Sequence, residues 1–101
     1  MIIYNVTLYI EPAILSEYLN WLKNEHIPRV MATNLFEKYR ILKVLTELDG
    51  EVESYAIQYE LPTMAHFERY EKEFAPALRA ETVEKFGEQV TAFRTLLQVE
   101  A

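Results

Sequence analysis

The stretch LFEKYRILKVLTELDGEVESYAIQYE, residues 35–60, decides the fold. Both of its halves are rich in Tyr, Ile, Val and Leu, so 35–48 and 52–60 read as two strands. Asp49-Gly50 lies between them and signals a hairpin, because both residues tolerate the positive φ of a tight turn. The two strands therefore pair antiparallel, and their flanks fix the topology.

Upstream, Ile2–Ile10 reads as a strand of β-branched and aromatic residues that stops at Glu11-Pro12. Pro12 suits a first helical turn, and Ile14, Leu15, Tyr18, Leu19 and Leu22 follow helical spacing through about Glu25. Pro28 should interrupt that helix, because proline has no backbone donor and disfavours helical geometry in the residue before it. A short turn through 29–32 is expected before Thr33-Asn34 breaks it. Downstream, Leu61-Pro62 ends the second hairpin strand and Thr63 can cap a helix carrying Met64, Phe67, Tyr70, Phe74, Leu78, Val83 and Phe86. A kink is expected at Pro76 and a stop at Gly87, with residues 90–99 as the last strand. The order βαββαβ predicts an α+β, ferredoxin-like domain over 1–101, with a four-stranded antiparallel sheet and both helices on one face.

Strand alternation assigns the two faces. Tyr4, Val6, Leu8, Tyr39, Ile41, Tyr55, Ile57, Tyr59, Phe93 and Leu97 form an apolar set expected under the helices. The opposite set holds Asn5, Thr7, Tyr9, Phe36, Arg40, Leu42, Val44, Ser54, Ala56, Gln58, Val90, Ala92, Arg94 and Leu96. Left bare, that mixed face would expose a contiguous apolar patch, so a second copy of the chain stacked sheet to sheet is expected to cover it.

Composition narrows the function classes. Ten basic against sixteen acidic residues give a net charge of −6, which argues against nucleic acid, where phosphates demand a basic face. The absence of cysteine excludes disulfides, thiolate metal sites and a thiol nucleophile. The N-terminal residues lack a signal-peptide pattern, and no apolar run approaches the about 20 residues of a membrane span. The expectation is a soluble, cytoplasmic protein with no membrane partner.

Two leads carry chemistry. His26 is an imidazole at a helix end beside Trp21, and the topology places it coarsely on one rim with Asn5, Gln58 and His66. A group that titrates near neutrality suits general acid/base work; the structural alternative is a helix cap for His26 and a solvated helix residue for His66. Arg40 and Arg94 are the second lead. An enclosed guanidinium needs a counter-charge, supplied either by a carboxylate- or phosphate-bearing ligand or by an acidic residue of a partner chain. Trp21 is read as packing, residues 68–73 as a solvated ion-paired face, and Arg79 as bound to a helix end or an acidic neighbour. The spacing of His26, His66 and Glu25 matches no metal signature, so no metal is expected.

Tyr4-Asn5-Val6-Thr7, Trp21, His26-Ile27-Pro28, Ala75-Pro76-Ala77-Leu78-Arg79, Phe86-Gly87 and Phe93-Arg94 resemble a bacterial family of short proteins of unknown function. That family is similar to the dimeric α/β-barrel superfamily, which also holds small monooxygenases, muconolactone isomerases and ligand-sensing domains. The resemblance spans nearly the whole chain and implies the fold and a homodimer. Haem-degrading members of the superfamily pair a first-strand Asn with a Trp and a His; Asn5 and His66 compare with two of these, but the third strand has no Trp, and no cofactor is expected.

The function expected is a homodimeric small-molecule-binding module for an anionic or aromatic ligand held between sheet and helices or across the dimer, with Arg40 and Arg94 supplying charge, Asn5 and Gln58 orientation, His26 a gate or proton relay, and His66 on the same rim. The alternatives are a cofactor-independent monooxygenase- or isomerase-type enzyme with His26 as acid/base, and a structural dimer without ligand.

Overall fold

The computed structural model describes residues 1–46 and 52–101. Four strands, β1 (Ile2–Ile10), β2 (Lys38–Lys43), β3 (Glu53–Leu61) and β4 (Val90–Gln98), form one sheet in the order β2-β3-β1-β4. The described pairings are all antiparallel. Between β1 and β2 lie α1 (Leu15–Trp21) and α2 (Ile27–Met31); between β3 and β4 lie α3 (Met64–Glu73) and α4 (Ala75–Phe86). This is the ferredoxin-like arrangement expected from the order of elements. The Asp49-Gly50 hairpin signal lies outside the described residues. No described helix is long and apolar enough to cross a membrane.

Local chemistry accounts for the helix boundaries. Pro12 opens a 3₁₀ turn over Pro12–Ile14. The Thr63 side chain accepts from the His66 amide at the start of α3. Gly87 closes α4 at φ 58°, a backbone region open to glycine and strained for other residues. Pro76 falls in the first turn of α4, after a break at Phe74.

The helix does not end before Pro28. Residues Leu22–His26 form a π turn in which the Ile27 amide donates to the Leu22 carbonyl five residues back, and α2 then continues through Pro28. The change of hydrogen-bond pattern puts proline where a missing donor is tolerated, so His26 sits inside a continuous helical path rather than at a frayed end.

Two face assignments are corrected. The register pairs Tyr4 with Leu96, Val6 with Arg94, Leu8 with Ala92 and Ile10 with Val90. Directly paired residues share a face, so Val90, Ala92, Arg94 and Leu96 lie on the helix side, while Phe93 and Leu97 lie on the open side. Phe36 is also buried under the helices, against Tyr4, Tyr59 and Tyr70. It precedes β2: Asn34 takes a positive φ of 62°, and the Thr33 hydroxyl donates to the Val30 carbonyl. That turn lets the consecutive residues Leu35 and Phe36 both enter the core, which a strand would forbid.

The core has two aromatic centres. One joins Tyr4, Phe36, Tyr59, Phe67 and Tyr70; the other joins Tyr18, Trp21 and Phe86, with Trp21 and Phe86 centroids 5.3 Å apart at 68°. Edge-to-face and tilted contacts of this kind add to the stabilisation from burial.

Candidate functional site

Between the helix side of the sheet and the helices lies a cavity of about 360 Å³. Its floor comes from Tyr4, Val6, Leu8, Ile57, Tyr59, Ala92 and Arg94, and its roof from Tyr18, Leu22, His26, Tyr70, Leu78 and Arg79. Ala92 and Gly87 offer little side chain and so leave space in the wall. A largely apolar concavity with a few convergent polar groups is the usual form of a small-molecule site.

The π turn places His26 in this wall. Its ring stacks on Trp21 at 5.0 Å between centroids and 25° between planes. Nδ1 is buried and has no hydrogen-bond partner among the described residues. Burial pushes the pKa of His26 down to about 4; Glu81 pulls it up, while Arg29 and Arg94 push it further down. Glu81 is held at 2.5 Å by Arg29, which ties α2 to α4 beside the histidine. At neutral pH His26 is therefore an uncharged imidazole with an unused polar nitrogen.

The tyrosines supply the other polar groups. Burial raises the pKa values of Tyr18, Tyr59 and Tyr70, so their phenols stay protonated and able to donate. Arg94 opposes the rise at Tyr18 and Tyr70, which places its guanidinium within electrostatic reach of both. Among the described residues Arg94 has no ion-pair partner. Arg79 is held: it ion-pairs with Glu71, and its Nη2 donates to the Tyr4 hydroxyl at 3.1 Å. Burial works against the Arg79 charge, but the bonds to Glu71 and Tyr4 outweigh it and leave its pKa above the ordinary value.

The residues singled out from sequence divide between the two faces. His26 and Arg94 meet at the helix-side cavity. Asn5, Arg40 and Gln58 lie on the open face as one hydrogen-bonded row: Arg40 Nε donates to Gln58 Oε1 at 2.9 Å, Gln58 Nε2 to Asn5 Oδ1 at 3.2 Å, and Asn5 Nδ2 to Thr7 Oγ1 at 3.1 Å. His66 is at neither place; its Nδ1 and Thr63 Oγ1 share a 2.7 Å hydrogen bond at the start of α3. The common rim expected for His26, Asn5, Gln58 and His66 is thus corrected: the sheet separates His26 from Asn5 and Gln58. Arg40 and Arg94 are separated in the same way.

Sequence reasoning missed the tyrosine lining and the place of Arg79. Tyr4 and Tyr59 read as core residues for their rings, and nothing in their spacing shows that they also line a cavity. Arg79 does bind an acidic neighbour, Glu71, yet the same side chain also borders the cavity. Among the described residues no group of three or more His, Asp or Glu side chains could hold a metal ion.

The sequence model of DUF4286, a domain of unknown function, matches residues 1–100. The chain belongs to the DUF4286 family. No curated protein matches it in sequence. Solved structures do. HapK from Hahella chejuensis superposes with a TM-score of 0.71 at 9% identity, covering 99% of this chain and 93% of its own. An ethyl tert-butyl ether d (EthD) family protein from Bacillus halodurans c-125 gives 0.67 at 13%, covering 99% and 100%. A dimeric ferredoxin-like protein from an uncultured marine organism gives 0.62 at 17%, covering 100% and 98%. At such identities the likeness shows the fold and carries no activity with it.

Proposed function

We propose that this protein binds a small anionic aromatic molecule in the helix-side cavity and works as a homodimer joined through its open sheet faces. The observation that carries the ligand reading is Arg94, which borders a tyrosine-lined cavity and lacks an acidic partner among the described residues. A guanidinium at the edge of an apolar pocket favours a ligand that brings its own negative charge. The phenols of Tyr18, Tyr59 and Tyr70 offer donors to ring substituents. A cavity of about 360 Å³ is near the lower end of the about 300–1,000 Å³ of ligand pockets, which suits a one- or two-ring compound.

The dimer reading rests on the open face. Phe93 is 58% exposed there, with Leu42 and Leu97 also exposed, and the Arg40–Gln58–Asn5–Thr7 row satisfies much of its own hydrogen bonding. Enclosing such a face leaves the charge of Arg40, whose described partner is the neutral Gln58, to be met by an acidic side chain of the second copy. The ferredoxin-like protein from the marine organism is dimeric, which supports self-association of this fold.

The test is a thermal-shift panel of aromatic carboxylates on the wild type and Arg94→Ala. Arg94 is exposed, so the variant should fold. Several members should raise the melting temperature of the wild type and fail to do so in the variant. Equal responses in both proteins, or none across the panel, would overturn the reading.

One observation favours a second reading. His26 borders the cavity as an uncharged imidazole, the form in which a cofactor-independent enzyme of the isomerase or monooxygenase type would use it as a base. Turnover of a bound aromatic acid that disappears in His26→Phe would establish it.

A further inference from the structure

A second concavity of about 400 Å³ adjoins the first on the far side of Arg79, and Tyr4, Arg79 and Arg94 border both. Glu71 lies in the wall of this second space. We call these shared residues, two arginines and a tyrosine, the waist. One guanidinium has an internal anion and the other has none among the described residues.

The pairing of Arg79 with Glu71 is not a sealed core interaction. Both side chains are 34% exposed, so water screens the pair and its net worth is small. The Tyr4 hydroxyl accepts from Arg79, and its own proton has no acceptor among the described hydrogen bonds, so it can be donated to an incoming oxygen. A planar carboxylate entering the waist would meet the donor fork that Glu71 now occupies, with Arg94 as the second charge.

We propose that Arg79 and Arg94 form a two-armed clamp for a ligand carboxylate, and that Glu71 is a built-in competitor which the ligand displaces from Arg79. The clamp rests on the reading of the helix-side cavity as a ligand site. It adds a charge rule to that reading: the aromatic body lies among the tyrosines of the first lobe, and the carboxylate sits at the waist. Glu71 holds the Arg79 fork in place without ligand. It also sets an affinity threshold, since each ligand must replace an existing ion pair rather than fill a vacant one.

The experiment is calorimetric titration of 2-naphthoate, and of its uncharged analogue 2-naphthylmethanol, into wild type, Glu71→Gln and Arg79→Lys. Wild type should bind the carboxylate at least about tenfold more tightly than the alcohol, since charge-assisted bonds are roughly twice as strong as neutral ones. Glu71→Gln removes the competing charge and should tighten naphthoate several-fold while leaving the alcohol unchanged. Arg79→Lys keeps the charge but loses the planar fork, and should weaken naphthoate alone. Naphthoate binding that is unchanged or weaker in Glu71→Gln would overturn the competitor role and leave the cavity reading standing. Equal tightening of both probes would also overturn it, because competition acts only on the charged one. If neither probe binds the wild type, the cavity reading falls and the clamp falls with it.

Discussion

Acidification should destabilise this protein through His26, and His26→Phe should remove that part of the loss. The imidazole titrates at 6.5 when unperturbed and at about 4 in the folded chain, chiefly because burial disfavours its charged form. The unfolded chain therefore takes up the proton first as pH falls. The His26 contribution is fully present above 6.5, declines below it, and is lost once pH drops under about 4. Between pH 7 and pH 5 a shift of this size costs roughly 2 kcal/mol, and about 1–2 kcal/mol after allowance for the partly solvated ring. Phenylalanine keeps a ring against Trp21 and strands no hydrogen bond, because Nδ1 has no partner among the described residues. Urea unfolding of both proteins at pH 7 and pH 5, at one protein concentration, gives the four free energies needed. Other groups that titrate in that window are common to both chains and cancel. The wild type should lose about 1–2 kcal/mol more than the variant over the interval. Equal losses would refute the argument that His26 is buried and held neutral.

Gly87→Ala should cost about 1 kcal/mol or somewhat more in chemical denaturation, because residue 87 sits at φ 58°. An added Cβ would meet nothing within 4 Å, so the penalty is backbone strain alone, and an unchanged midpoint would contradict it. Phe93→Glu should halve the mass measured by light scattering, since Phe93 stands on the open face, packed edge-on against Tyr9 at 5.6 Å. A variant that keeps the wild-type mass, or a wild type that is already a monomer, would count against the sheet-to-sheet dimer.

The fold was legible because its punctuation is local. Pro12, Thr63, Pro76 and Gly87 mark helix starts and stops by backbone chemistry that needs no tertiary context. The phase of β4 was not legible, because both of its alternating sets contain apolar residues: Val90, Ala92 and Leu96 on one, Phe93 and Leu97 on the other. Only the register with β1 chooses between them, and that choice moves Arg94 from the open face to the cavity. Phe36 was misplaced for a related reason, since the turn at Asn34 sends two consecutive side chains inward. At His26 the sequence showed the proline and not the π turn that accommodates it. The histidine was found as a location, while its partners were those of the wrong face. Arg79 and Glu71 stand eight residues apart on two different helices, so no helical spacing rule joins them.

The central claim is that the ligand site lies between helices and sheet, with Arg94 at its edge. A crystal structure of the protein soaked in 2-naphthoate tests it most directly. The rings should lie between Tyr18, Tyr59 and Tyr70, with the carboxylate on Arg94 and Arg79. Naphthoate found instead on the open face beside Arg40 and Gln58, with the helix-side cavity unfilled, would contradict it.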